Sequence, residues 1–196
     1  MTDLRLERWL DVLLDTPGLT SIRDRSEARR VLIEGSLAAA PYIEPVPGPI
    51  VDVGSGGGAP GVPLALAFPD RSVTLLEANG RKVAFLERIA ADVPNLRIVR
   101  GRAEEQAVDR FGVAVARALA PPPVAAEWCL PLVAPGGIVV LYVGPTADLG
   151  AVSRVAREIG GGNPALHPGV IVIPKAALTP PGFPRRPGMA RKRPLA

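Results

Sequence analysis

The run Ile50-Val51-Asp52-Val53-Gly54-Ser55-Gly56-Gly57-Gly58-Ala59-Pro60-Gly61 limits the folds open to this chain more than any other feature. A short apolar stretch enters a glycine-rich loop. The loop then opens a segment whose Pro60 suits the first turn of a helix. Strand, glycine loop and helix together form the first unit of an open α/β sheet. Such sheets bind nucleotide-like ligands at the carboxyl ends of their strands. Glycines allow a sharp turn and let the backbone approach a ligand with no Cβ in the way. A purely structural turn would use the same residues, so the loop alone does not name a ligand.

The rest of the sequence continues the alternation. Leu6, Trp9, Leu10, Leu13 and Leu14 form one apolar stripe at helical spacing, which Pro17-Gly18 interrupts. A second helix is expected from Ser26, as its N-cap, to about Ala40. Pro41 to Pro49 reads as a connector. Strands are expected at Ile50–Val53, Ser72–Leu76, Leu96–Val99, Val113–Ala116, Ile138–Val143 and Gly169–Ile173. Helices are expected over about 60–68, from an Asn79 cap onward, and near 122–133 and 147–159. Apolar strands alternating with helices imply a parallel sheet covered on both faces. The 196 residues suit a single unit. It would comprise a helical extension over 1–45, a cofactor-binding core over 46–173, and a basic, proline-rich segment over 174–196.

Two ligands suit the loop. Gly54-x-Gly56-x-x-Ala59 formally matches a dinucleotide fingerprint, with a pyrophosphate at the helix N-terminus. Three features favour S-adenosylmethionine instead. Asp52 would repel a pyrophosphate but attract a cationic amino group. Three consecutive glycines follow, and Pro60-Gly61 starts the helix. Glu77, at the end of the second strand, can accept both hydroxyls of an adenosine ribose. Arg100-Gly101-Arg102-Ala103-Glu104-Glu105 follows the third strand, where a methyltransferase sheet meets the adenine. Acidic residues at three successive strand ends are more specific than the glycine loop alone.

Charge is unevenly distributed. Residues 159–196 carry Lys175, Arg185, Arg186, Arg191, Lys192 and Arg193 and no acid, whereas the remainder holds 17 basic and 19 acidic residues. A basic end on a neutral body suits a polyanion partner; a solvated tail would also explain it. No apolar run reaches the length of a membrane span, and the sequence begins without a signal-peptide pattern. The expectation is a cytoplasmic monomer. The single cysteine, Cys129, reads as a core residue, His167 as structural or superficial, and no cluster suits a metal.

The motifs together resemble a known family. DVGSGGGAPGVPLALAFPD, LLEANGRKVAFLERIA and GRAEE are similar to the bacterial guanine-N7 methyltransferases of small-subunit ribosomal RNA, also called glucose-inhibited division protein B. Leu19-Thr20-Ser21-Ile22-Arg23-Asp24 resembles the family's N-terminal motif. Val115-Ala116-Arg117-Ala118 resembles its stretch after the fourth strand. Lys175, Thr179-Pro180, Pro184-Arg185, Gly188, Lys192 and Pro194-Leu195 resemble the tail of many members. The chain departs from the family pattern at Gly18, Leu32, Gly35 and Val143.

The resemblance implies a Rossmann-like class I methyltransferase fold and S-adenosylmethionine as methyl donor. It also implies 16S ribosomal RNA, or the small ribosomal subunit, as substrate. Cofactor contacts carried over by position are Gly54, Ala59, Ala103, Glu104 and Arg117; the residues read directly add Asp52, Gly56, Gly58 and Glu77. Arg117 is expected at the rim, where it would position a ligand, and the six basic residues of 174–196 are expected on RNA phosphates. A small-molecule methyltransferase of the same fold is one alternative. A cofactor-binding protein without activity is the other.

Overall fold

The computed structural model describes residues 3–196. The chain begins with α1 (Leu4–Asp15), whose buried Leu6, Trp9, Leu10 and Leu13 are four of the five residues of the expected stripe; the fifth, Leu14, is half-buried. Three short helices follow: α2 (Arg25–Ala28), α3 (Gly35–Leu37) and α4 (Ala40–Ile43). A π-helical stretch, Arg29–Glu34, joins α2 to α3. The expected Ser26 cap is corrected to Asp24, whose carboxylate accepts from the Glu27 N–H at 2.7 Å. Asp24 precedes the first turn, whereas Ser26 already lies inside it. The connector is also shorter than expected, because Pro41 sits in the first turn of α4, where its missing N–H costs nothing.

The core alternates β1 (Ile50–Val53), α5 (Gly61–Ala67), β2 (Val73–Glu77), α6 (Gly80–Ala90), β3 (Leu96–Arg100) and β4 (Phe111–Arg117). Asn79 caps α6 as expected, accepting from the N–H groups of Arg81 and Lys82. Then come α7 (Pro122–Cys129), β5 (Val133–Tyr142), α8 (Leu149–Glu158), β6 (Ala165–His167), β7 (Val170–Pro174) and α9 (Met189–Lys192).

The strand order is β3-β2-β1-β4-β5-β7-β6. β1 to β5 are parallel, and β7 enters antiparallel between β5 and β6. The expectation of a parallel sheet thus holds for five of the seven strands. Because β-strand side chains alternate, Ile50 and Val51 face opposite layers. Ile50 joins α1, α5, α6 and the 25–43 segment in one core. Val51 joins α7, α8 and Ala190 of α9 in the other. Cys129 lies fully buried in that second layer. His167 stacks on Tyr42, ring centroids 4.4 Å apart, at the β6 edge.

Candidate active site

Strand order reverses between β1 and β4, and this is where an open sheet leaves a crevice. A cavity of about 280 Å³ occupies it, with Gly54, Glu77, Ala103, Glu104, Trp128 and Arg191 among its walls. A second cavity of about 350 Å³ adjoins it, lined by Thr20, Ser21, Gly56, Ala59 and Arg117. Gly54, Lys82 and Ala118 border both, so the two form one cleft across the sheet's carboxyl edge.

Glu77 organises the first cavity. Its carboxylate is almost buried; Oε2 accepts from the Gly56 N–H at 2.9 Å and Oε1 from the Asn79 N–H at 2.8 Å. These bonds fix the side chain between the glycine loop and the start of α6. Each oxygen keeps a second acceptor site, so the expected role toward ribose hydroxyls is open to it.

Asp52 requires correction. Its side chain points under the loop, with 1% of the residue exposed, and Oδ2 accepts from the Gly61 N–H at 2.9 Å. It lines neither cavity; it anchors the entry to α5. A Cβ on Gly61 would lie 2.2 Å from Leu75 and 2.7 Å from the Asp52 carboxylate, so only glycine permits this approach. Among the described residues Oδ1 of Asp52 has no hydrogen-bond partner. Burial raises its pKa to about 7, against the opposing pull of the Gly61 hydrogen bond and the Arg117 charge.

Gly58 also leaves the ligand-binding set. It is buried beneath α1, and a Cβ there would meet Val62 at 2.8 Å and Trp9 Nε1 at 3.1 Å. The indole donates to the Gly57 carbonyl at 2.9 Å. The glycine run therefore has two faces: Gly54 and Gly56 line the cleft, Gly58 packs beneath α1, and Gly57 borders both, lining the second cavity while lying against Leu13.

Ala103 and Glu104, expected as cofactor contacts, line the first cavity. Glu104 Oε1 accepts from the Gly188 N–H at 3.1 Å, however, which ties this wall to the tail. Arg117 lines the second cavity, but its guanidinium is engaged. Nη1 donates to the Val31 carbonyl at 2.9 Å and to Ser36 Oγ at 3.2 Å, and the group lies over the Tyr142 ring at 6.0 Å. It braces the π-helical stretch and is no free rim arginine. Burial pulls its pKa down, partly offset by Asp52.

The tail departs furthest from expectation. Lys175 is corrected to a structural residue. It is buried, donating through Nζ to the carbonyls of Leu130 and Ile159 and to Thr179 Oγ1, with Asp109 at 3.7 Å. Such a lysine cannot meet a phosphate. Arg185 makes a two-pronged ion pair with buried Glu127, both bonds 2.6 Å. Arg191 donates to the Leu119 carbonyl at 3.1 Å and lies over the Trp128 ring at 5.2 Å. Arg186, Arg191, Lys192 and Arg193 are all exposed, and of the four only Arg191 lines a cavity wall.

Sequence reading missed Lys82, Trp128 and Gly188 as wall residues. Lys82 could have been noticed, one turn past the Asn79 cap and facing the loop. Trp128 and Gly188 arrive through long-range packing that no local pattern signals.

The cleft fits S-adenosylmethionine. Leu76, Ala103, Leu119 and Trp128 offer apolar surface to a purine, and Glu77 offers acceptors for its sugar. The polar second cavity leaves room beyond for another group.

The chain matches the model of the GidB family, rRNA small subunit methyltransferase G, over residues 5–154. The chain belongs to this family. Curated GidB relatives agree along most of its length. Ribosomal RNA small subunit methyltransferase G of Moorella thermoacetica is 36% identical, over 97% of this chain and 89% of that protein. The protein of the same name from Chloroflexus aggregans is 34% identical over the same shares. Solved structures share the fold at lower identity. The S-adenosylmethionine-dependent methyltransferase SibL has a TM-score of 0.63 at 19% identity, covering 86% of this chain and 62% of its own. A T. thermophilus 16S rRNA methyltransferase in complex with AdoMet and guanosine has a TM-score of 0.56 at 18% identity, covering 85% and 43%. GidB membership bears out the family resemblance. With it stand the class I fold and the reading as an S-adenosylmethionine-dependent methyltransferase of 16S ribosomal RNA.

Proposed function

We propose that this GidB member methylates N7 of a guanine in 16S ribosomal RNA, with the adenosine part of S-adenosylmethionine in the first cavity, its amino-acid part reaching into the second, and the target base entering the second beside it. The observation that carries this arrangement is the continuity of the two cavities across Gly54, Lys82 and Ala118. S-adenosylmethionine, when bound, supplies a methyl group on a positively charged sulfur. Gly54, Glu77, Ala103 and Leu119 would hold its adenosine part, and Gly56, Ala59 and Arg117 would lie toward its amino-acid part.

Guanine N7 carries an in-plane lone pair and no proton, so the attacking atom needs no base. The protein's task is alignment and exclusion of water. Among the described residues no metal-binding cluster exists, and no nucleophilic side chain is needed. Arg117 contributes by holding the 29–36 segment against the second cavity, where Leu32 lines the wall. Arg186, Lys192 and Arg193 are the tail residues open to RNA phosphates, which would orient the substrate without reading its sequence. A target base in folded RNA has to be exposed in a loop or bulge to reach the cavity. Among the described residues no helix is long and apolar enough to cross a membrane.

The test is methyl transfer from labelled cofactor to isolated small subunits, naked 16S RNA and free guanosine, with the product mapped by cleavage at N7-methylguanine. Label in RNA at N7 supports the reading. Label on guanosine alone favours a small-molecule substrate, and label at another guanine atom removes the N7 assignment.

A further inference from the structure

The basic tail was expected to serve RNA, yet part of it is built into the cofactor cavity. Three independent attachments hold it there. The Arg185–Glu127 pair anchors it to α7, and Glu127 is 3% exposed. The Gly188 N–H binds Glu104 on the wall after β3. Ala190 is buried in the second core layer. Between these fixed points α9 presents Arg191 to the cavity, whose walls include both Gly188 and Arg191.

The Arg191 guanidinium is held in place but not saturated. It spends one N–H on the Leu119 carbonyl and rests on the Trp128 ring. A guanidinium has five donors, so most remain. No carboxylate pairs with it among the salt bridges of the described residues. Its neighbours on the wall are Leu119, Trp128 and Ala103, the apolar surface suited to a purine. A planar cation beside such a surface can stack on a heteroaromatic ring and donate to ring nitrogens.

We propose that Arg191 is a cofactor-binding residue that contacts the adenine end of S-adenosylmethionine, and that the tail segment 185–193 is a wall of the cofactor site. The inference rests on the first cavity being the cofactor site. Arg191 is itself exposed, as are Arg186, Lys192 and Arg193, but of the four it alone lines the cavity, and it is assigned a task distinct from theirs.

The experiment measures calorimetric affinity for S-adenosylhomocysteine and for methylthioadenosine, which lacks the amino-acid part. The proteins are full-length wild type, Arg191→Ala, Arg191→Lys and Arg97→Ala. Arg97 is an exposed cation on β3, outside both cavities, and controls for loss of one charge. Thermal melts accompany each variant. Arg191→Ala is expected to weaken both ligands by at least about tenfold and by similar factors, because the lost contact is to the part they share. Arg191→Lys should recover less than half of the loss on a logarithmic scale, since lysine lacks the planar fork. Arg97→Ala should stay within about twofold of wild type. Unchanged affinity in Arg191→Ala overturns the inference and leaves the cofactor reading intact. A loss confined to S-adenosylhomocysteine moves the contact to the amino-acid end and overturns it too. A wild type that binds neither ligand overturns the cofactor reading itself.

Discussion

One partly buried and one fully buried polar residue set what single substitutions will show. Arg117 has exchanged solvent for the Val31 carbonyl and Ser36 Oγ. Arg117→Ala strands these partners, and a stranded buried acceptor costs about 1 to 3 kcal/mol. The variant is therefore expected to melt earlier and also to lose methyl transfer by at least tenfold, about 1.4 kcal/mol. Arg117→Lys should keep part of the stability and little of the rate; paired melts and single-turnover rates measure both. Asp52 shows itself through pH. Buried, it keeps its proton up to about pH 7, whereas an unperturbed aspartate titrates at 3.8. Between those values the native chain binds more protons than the unfolded one, so stability falls as pH rises and levels off above the folded pKa. Each pKa unit is worth about 1.4 kcal/mol. From about pH 5 to about pH 8, urea melts of the wild type should lose about 2 to 3 kcal/mol more than those of Asp52→Asn. Parallel pH profiles would mean that Asp52 is ionised in the folded chain.

At the level of elements, the Arg185–Glu127 pair decides whether the tail is a wall or a loose end. Removing one member leaves a charge or its partner buried and unpaired, which costs about 3 to 5 kcal/mol for a fully buried pair. Arg185 is 20% exposed, so about 2 to 3 kcal/mol is expected for Arg185→Ala in denaturant melts. The double variant Arg185→Met, Glu127→Leu should recover more than half of that, because no charge is stranded. A double variant as unstable as the sum of the singles would mean that the two residues do not act as a pair. This element also marks how far a sequence can be read. The Asn79 cap, the α1 stripe and the β1 loop are local patterns, and all three stand where expected. The π-helical stretch at 29–34 has the composition of an ordinary helix, so nothing local announces it. β6 has three residues, too few for a period to show. The tail read only as a basic, proline-rich segment, and an ion pair across 58 residues lay behind Arg185. Asp52 and Gly58 were assigned to a ligand because the loop motif names a region, not which of its side chains face inward. Burial beneath α1 and α5 divides that region, and burial is a property of the fold.

At the level of the whole molecule, the cleft joins parts from every third of the chain: Thr20 and Ser21, the β1 loop and Glu77, then Trp128 and Arg191. A ligand that binds only the folded form stabilises it by about 2.7 kcal/mol at a concentration a hundredfold above Kd. For a chain of this size that corresponds to a rise of about 5 to 11 °C in Tm. S-adenosylhomocysteine should therefore shift one cooperative transition upward, followed by calorimetry. Two transitions, with only one shifted, would show that the cleft is not shared by a single folding unit. The late arrival of Gly188 and Arg191 in that cleft also has a meaning in time. The glycine loop, Glu77 and Ala103 are synthesised early, and the sheet edge that carries them can form while translation continues. The wall opposite them does not yet exist at that point. A growing chain thus carries one side of the cleft before the residues that face it across the opening have been made.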